Sequence, residues 1–172
     1  MRCFIAAWPD PLTRVALAAV SDDVRQRVAH RRTMRIDDLH LTLAFIGNLA
    51  DEDAFAVADV ITKLRFRPFA WRLDTLGFFD QAGVVWIGTA RTPVKPLVAL
   101  GGQVRAVLDR LDIDYDRRPL APHVTLLRGV QRFDVERLAP ITWRIDSIAL
   151  YRSAAAGESA RYARVTPRNA AT

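Results

Sequence analysis

The tetrapeptide His40-Leu41-Thr42-Leu43 recurs later in the chain as His123-Val124-Thr125-Leu126. Side chains alternate between the two faces of a strand, so the His and Thr of each copy project together while the apolar residues point into a core. Two copies of this pattern indicate that one unit is duplicated. The two halves are then expected to face each other and to present two imidazoles and two hydroxyls to one cleft.

A second pair of matching segments supports duplication. Trp71-Arg72-Leu73-Asp74-Thr75-Leu76 and Trp143-Arg144-Ile145-Asp146-Ser147-Ile148 agree in residue type at every position. Each follows one copy of the His-any-Thr-Leu motif, which is the order expected of two repeats. Any two amphipathic strands share part of this pattern, so the Trp segments alone carry less weight. Both pairs in the same order favour duplication.

Hydrophobic periodicity and turn signals predict one domain, 1–172, in which strands and helices alternate. The motif strands are expected near 39–46 and 122–127. Further strands are expected at 2–7, 71–79, 84–89, 142–152 and 162–166. Helices are expected at 11–29, 51–64 and 94–111, and a helical turn at 134–138. A small-residue turn is expected at 154–159 and a frayed tail at 167–172. The hairpins and the repeat favour a bilobal, pseudo-two-fold α+β fold, with mainly antiparallel sheets, flanking helices and a central cleft, over a doubly wound parallel sheet.

Composition narrows the class of protein. Hydrophobic residues make up 51% of the chain and charged residues 26%, as in ordinary globular domains. No apolar run approaches the roughly 20 residues that cross a bilayer, so no membrane partner is expected. The N-terminus resembles an opening strand rather than a secretory signal. The single cysteine, Cys3, is expected to be a buried thiol in a reducing cytoplasm.

The net charge of +6 favours an anionic partner. Basic residues gather at 30–35, 65–67 and 117–118, and the first and last of these clusters lie just upstream of a His-any-Thr-Leu motif. For any single cluster, a solvated face without a binding role is the alternative. Their repeated placement before the motifs favours attraction of phosphate.

The paired motifs carry side chains suited to acid and base catalysis on a phosphate. Imidazole has an unperturbed pKa of about 6.5, so one protonated and one neutral ring can act as general acid and general base. Thr42 and Thr125 offer short hydroxyl donors for phosphate oxygens, and Arg128 offers a planar cation of matching geometry. Strand parity places Arg128 on the face opposite His123 unless a twist or bulge near Gly129 redirects it.

Other chemistries have less support in the sequence. A zinc site needs at least three protein ligands, and no His-Glu-any-any-His motif or cysteine cluster is present, so neither a metal nor a cofactor is expected. His30 is interpreted as a surface residue. No serine lies in a glycine-flanked elbow, and Gly101-Gly102 matches no nucleotide-binding fingerprint. One His on a half-buried strand is more often a core residue than a catalyst, but two in identical contexts favour catalysis.

The duplicated motif resembles that of the 2H phosphoesterases, and its surroundings resemble their RNA 2′,3′-cyclic phosphodiesterase branch, historically called 2′-5′ RNA ligase. The resemblance extends over most of the chain. It rests on Arg2-Cys3-Phe4-Ile5-Ala6, Leu39-His40-Leu41-Thr42-Leu43-Ala44-Phe45-Ile46-Gly47, Val85-Trp86-Ile87-Gly88, Pro122-His123-Val124-Thr125-Leu126-Leu127-Arg128 and Leu150-Tyr151-Arg152-Ser153 with Tyr162. The chain departs from the family at Leu120-Ala121-Pro122-His123, where an aromatic residue often precedes the Pro-His pair.

The resemblance implies roles for the motif residues. His123 would be the base that activates water and His40 the acid that protonates the leaving 3′-oxygen, while Thr42, Thr125 and Arg128 would hold the phosphoryl oxygens. It also implies RNA with 2′,3′-cyclic phosphate ends as substrate, tRNA fragments among them, and no cofactor or metal. A monomer is expected because one polypeptide carries both half-sites.

The sequence leaves two alternative functions open. The same chemistry would also suit a 2′-5′ linkage, a small cyclic nucleotide or the reverse ligation of RNA. From a different class, the cleft would serve a non-catalytic module that binds RNA ends.

Overall fold

The computed structural model describes residues 1–90, 93–154 and 160–168, and these form three α-helices and nine strands. The helices are α1 (Pro11–Arg27), α2 (Asp51–Lys63) and α3 (Lys95–Arg110). The strands are β1 (Arg2–Ala7), β2 (Arg32–Thr33), β3 (Leu41–Asn48), β4 (Phe69–Phe79), β5 (Val84–Gly88), β6 (Val124–Arg128), β7 (Glu136–Ile145), β8 (Ala149–Ser153) and β9 (Tyr162–Arg164).

All nine strands belong to one sheet with the order β7-β4-β5-β6-β3-β1-β8-β9, and the short strand β2 pairs with β6. Each pairing between the described strands is antiparallel. The predicted α+β class, with antiparallel pairing and flanking helices, is therefore confirmed.

The two motif strands lie side by side at the centre of the sheet, where Leu41 of β3 pairs with Val124 of β6. Three strands flank each of them outward: β1, β8 and β9 beyond β3, and β5, β4 and β7 beyond β6. The predicted pseudo-two-fold arrangement therefore consists of two four-stranded halves that meet at β3 and β6. The two halves share one continuous sheet, since β3 and β6 are hydrogen-bonded to each other across the centre.

The two Trp segments do not occupy equivalent places in the two halves. Trp71 on β4 and Trp143 on β7 are direct cross-strand partners in the same half of the sheet. Their indole centroids lie 5.7 Å apart, and both side chains are 1% exposed. The interpretation of these segments as repeat counterparts is wrong. Their shared pattern reflects two neighbouring strands that bury the same face against the same core.

Several predicted boundaries differ from the structure. The helical turn expected at 134–138 is replaced by the start of β7, and the strand expected at 142–152 divides into β7 and β8 around 146–148. The strand β2 and a 3-10 turn at Ile36–Asp38 have no counterpart in the prediction. The predicted turn at 154–159 and tail at 167–172 lie largely outside the described residues.

The start of α1 follows from its sequence. Asp10 accepts hydrogen bonds from the backbone N–H groups of Leu12 and Thr13, each at 3.0 Å, and Pro11 occupies the first helical position. The helix packs on β6 and β7, whereas α2 packs on β8, and α3 on α2 and β3. Both halves of the sheet therefore have helical cover.

The core lies between the sheet and these helices. Cys3 is fully buried there, as predicted, and burial raises the pKa of its thiol. Among the described residues, no helix combines the length and the apolar character needed to cross a membrane.

The Trp71–Trp143 pair predicts a large stability effect. Trp71→Ala removes a fully buried indole and leaves a cavity, so we expect a loss of about 3–5 kcal/mol in the free energy of unfolding, measured by urea denaturation. Leu12→Ala is the control, because Leu12 is 84% exposed and should change stability by less than about 0.5 kcal/mol. Equal effects of the two substitutions would contradict the assignment of the Trp pair to the core.

Candidate active site

A cavity of about 790 Å³ opens over the junction of β3 and β6. The structure brings all five predicted site residues to its wall, namely His40, Thr42, His123, Thr125 and Arg128. The four His and Thr side chains are half-buried, and Arg128 is exposed.

The register of the two central strands explains this convergence. Leu41 and Val124 are Cα partners, and both are fully buried. In an antiparallel pair, moving one residue along each strand from this point places His40 beside Thr125 and Thr42 beside His123. All four then project from the face opposite the buried pair. One pairing therefore assembles two imidazoles and two hydroxyls in a square.

Both imidazoles are held in the same tautomer. The Nδ1–H of His40 donates to the backbone carbonyl oxygen of Asp38 at 2.6 Å, and the Nδ1–H of His123 donates to that of Ala121 at 2.7 Å. A carbonyl oxygen only accepts, so each Nδ1 must carry a proton. This leaves both Nε2 atoms to give or take a proton in the cleft.

A bulge in β6 directs Arg128 toward the cleft. The pairing of β5 with β6 shifts register between Val85, opposite Leu127, and Trp86, opposite Thr125. As a result, Leu126 and Leu127 are both buried although they are consecutive. The extra residue reverses the parity beyond it, so Arg128 lines the same cavity as Thr125.

The cleft favours neutral imidazoles in the free protein. The pKa of His40 is lowered to about 4, chiefly by burial, with smaller lowering effects of positive charge on His123 and Arg128 and an opposing, raising effect of the hydrogen bond to Asp38. Burial also lowers the pKa of His123, with a smaller contribution from Arg128. An anion bound between the rings would counter these effects, because a nearby negative charge stabilises imidazolium.

A stack of rings supports His123 from behind. Gly77 has no side chain, and a Cβ there would lie 2.1 Å from the indole of Trp86. The Trp86 ring therefore lies directly over the strand backbone at Gly77, and its centroid is 5.3 Å from that of Phe79. Phe79 in turn meets the His123 ring at 4.9 Å and 89°. The glycine thus sets the position of the ring that contacts the imidazole.

Sequence reasoning missed several residues of the cavity wall. They are Arg2, Phe4, Asp38, Phe45, Arg161 and Tyr162. Asp38 and Phe45 lie within five residues of His40 in the sequence, whereas the others come from distant parts of the chain, namely Arg2, Phe4, Arg161 and Tyr162. Phe45 carried one signal: it is an aromatic residue on the motif strand, and it is 39% exposed.

Of the basic clusters, the one at 30–35 reaches the cavity through Arg32 and Arg35. Arg117 and Arg118 instead form ion pairs with Asp109 and Asp116. The cluster at 65–67 does not line the cavity.

The third histidine, His30, lies away from this cleft. His30, half-buried rather than exposed, contacts the carbonyl oxygen of Val28 and the hydroxyl of Thr33 and does not line the cavity. Within the ranges that the structure describes, no three His, Cys, Asp or Glu side chains come together as a metal site requires.

Comparison with known proteins relates this cleft to a family. A family model for the 2′-5′ RNA ligase superfamily matches residues 11–157. The RNA 2′,3′-cyclic phosphodiesterase of Escherichia coli strain K12 is 29% identical over 152 residues, which cover 81% of this chain and 86% of that protein. A protein of the same name from Archaeoglobus fulgidus is 26% identical over 131 residues, or 74% of this chain and 72% of the relative.

Solved structures share the whole architecture. Escherichia coli LigT complexed with 3′-AMP superposes with a TM-score of 0.79 at 27% identity, over 96% of this chain and 95% of that chain. The protein TT0787 of Thermus thermophilus gives a TM-score of 0.75 at 25% identity, over 96% and 95%. With the family match covering most of its length, the chain belongs to the 2′-5′ RNA ligase superfamily of 2H phosphoesterases.

Proposed function

We propose that this protein hydrolyses RNA 2′,3′-cyclic phosphate ends to 2′-phosphate ends by paired-histidine acid and base catalysis. The observation that carries the proposal is the pair of Nε2 atoms, one from each motif, left available on one basic cavity. The relatives named RNA 2′,3′-cyclic phosphodiesterases support the substrate class.

In the proposed reaction, Nε2 of His123 takes a proton from water as the water oxygen attacks phosphorus in line with the 3′-oxygen. The bond between phosphorus and the 3′-oxygen breaks, and Nε2 of His40 gives its proton to that oxygen. Each turnover therefore leaves His123 protonated and His40 neutral, and exchange with solvent resets the pair. The choice of the 3′-oxygen as leaving group, and of His40 as acid, follows the family resemblance.

Thr42, Thr125 and Arg128 hold the non-bridging oxygens in this proposal. The two hydroxyls lie beside the imidazoles and line the same cavity. Arg128 contributes positive charge where negative charge grows on the phosphoryl oxygens in the transition state. The surrounding arginines, Arg2, Arg32, Arg35 and Arg161, give the cavity wall the charge that attracts RNA.

Loss of either imidazole tests the proposal directly. We expect His40→Ala and His123→Ala each to lower kcat on an oligonucleotide with a 2′,3′-cyclic phosphate end by on the order of 10²–10⁴, because each removes one proton transfer. The products are identified by mass spectrometry, with EDTA present, and circular dichroism verifies the fold. His30→Ala is the matched control and should retain activity, because His30 lies outside the cavity.

Full activity in either cleft variant would contradict the proposal. Binding of RNA ends without turnover in the unmodified protein would instead identify a binding module. Turnover confined to 2′-5′ linked or small cyclic nucleotides, or ligation of RNA ends, would retain the chemistry and reassign the substrate.

The lowered pKa values predict where activity lies on the pH scale. The profile of kcat/KM reports the acid and base of the free enzyme. Both pKa values lie below the ordinary value of about 6.5, so we expect a bell-shaped profile centred below that pH. Arg128 lowers both pKa values by its positive charge, so Arg128→Gln should move both limbs to higher pH.

Arg128→Lys is the matched control for this charge effect. It retains the positive charge, so the limbs of the profile should stay in place, while the loss of the planar guanidinium weakens phosphate binding. Unmoved limbs in Arg128→Gln would show that Arg128 exerts no electrostatic effect on the imidazoles.

A further inference from the structure

The two catalytic imidazoles have different aromatic neighbours. The His40 ring stacks almost flat on the indole of Trp8, with the centroids 4.6 Å apart and the planes at 11°. The His123 ring meets the Phe79 ring at a right angle, with the centroids 4.9 Å apart and the planes at 89°. The pseudo-two-fold relation therefore holds for the motifs and fails for the rings that contact them.

The indole of Trp8 is held in place on several sides. Its Nε1–H donates to the backbone carbonyl oxygen of Asp37 at 3.0 Å. The ring of Tyr151 packs against it at 4.1 Å, and the ring of Phe4 lies 6.4 Å away. Because the hydrogen bond and these contacts fix the plane of the indole, the face that it presents to His40 is preorganised.

A flat aromatic face distinguishes between the two protonation states of His40. The face of an aromatic ring carries negative charge density and attracts a cation within about 6 Å of its centroid, and indole does so most strongly. A protonated imidazole stacked on Trp8 gains this attraction over its whole ring, and a neutral one gains little of it. His123 instead contacts the phenyl ring of Phe79 at a right angle, and phenyl attracts a cation less strongly than indole does.

We propose that Trp8 is a positioning residue that stabilises the protonated form of His40 against the effect of burial, and so supports His40 as the proton donor. The role rests on the proposed function, since it assigns the acid of that reaction. It does not follow from the paired motifs, which are alike in both halves. Trp8 lies on the segment after β1, far from either motif in the sequence.

Several other ionisable groups surround His40 and Trp8, and of these His123 and Arg128 lower the pKa of His40 by their charge. On the 3-10 turn before β3, Asp38 is 4% exposed and lines the cavity. The cavity wall also carries His123 just before β6, Arg128 on β6, Arg2 on β1, Arg32 on β2, Arg35 just before the 3-10 turn, and Arg161 and Tyr162 at β9. Around the indole lie Asp37 in the 3-10 turn, Arg14 of α1, which is paired with Asp37, and Tyr151 of β8.

Trp8→Leu and Trp8→Phe both remove the hydrogen bond to Asp37 and alter the packing on Tyr151. The rings of Phe4 and Tyr162, whose centroids lie 5.0 and 5.3 Å from that of His40, are present in both variants. The difference between the two variants therefore reports the aromatic face at position 8.

The test is a histidine titration by NMR on the full chain in saturating inorganic phosphate. Trp8→Leu removes the aromatic face and should lower the pKa of His40 by about one unit relative to the unmodified protein, while the pKa of His123 moves by less. Trp8→Phe keeps a weaker face and should lower the pKa of His40 by a smaller amount. Phe79→Leu is the matched control and should leave the pKa of His40 unchanged.

Kinetics provide the second readout. If His40 is the acid, Trp8→Leu should move the limb of the pH–rate profile that belongs to His40 to lower pH, and Trp8→Phe should restore part of the change. A purely structural role for Trp8 would lower activity equally at every pH.

An unchanged pKa of His40 in both Trp8 variants, or in Trp8→Phe alone should Trp8→Leu fail to fold, would overturn the proposal. The titration uses inorganic phosphate and needs no turnover. A protein inactive on cyclic phosphate ends would therefore refute the proposed function and still leave the effect of Trp8 on His40 measurable.

Discussion

The pairing of Leu41 with Val124 is the constraint on which the rest of the site depends. It joins the two halves of the sheet and, through the alternation of side chains, sets His40 beside Thr125 and Thr42 beside His123. A slip of one residue would turn the His and Thr side chains of the slipped strand into the core, and the two motifs would no longer share one cleft. The buried apolar residues of both strands oppose such a slip, because they would have to enter water. The chemistry of the cleft is thus specified by packing on the other face of the sheet.

The site combines burial with positive charge, and both favour neutral imidazoles when no substrate is bound. Burial lowers the pKa of both rings, and Arg128 adds to the effect. A bound phosphate reverses part of this balance, because its negative charge lies against both rings. Under the proposed function, the protonation state that acid and base catalysis require is therefore reached with the substrate in place. The aromatic neighbours then differ between the two sides, flat against His40 and perpendicular to His123.

Much of the fold and the centre of the site could be predicted from sequence because they depend on local periodicity. The motif strands, the three helices and the hairpin of β4 with β5 all carry strong local patterns. The first part of β7, before residue 142, was not predicted because Pro140 in the sequence indicates the end of a strand. Proline is tolerated there because β7 is an edge strand. The sequence showed only that Arg128 needs a twist or bulge to face the cleft. It could not show that the bulge exists, because the bulge arises from the pairing with β5. Trp8 and Tyr162 reach His40, and Tyr151 reaches Trp8, through tertiary packing, which local pattern does not encode.

The central claim is that two imidazoles flank one phosphorus atom, one with a proton on Nε2 and one without. The most direct measurement is ¹⁵N NMR of the histidine rings on addition of a nucleoside 2′,3′-cyclic vanadate, which mimics five-coordinate phosphorus. The account predicts that, in the complex, the Nε2 resonance of one cleft histidine moves to the protonated position while that of the other stays at the neutral position, and that those of His30 do not change. Two neutral or two protonated cleft histidines in the complex would contradict it.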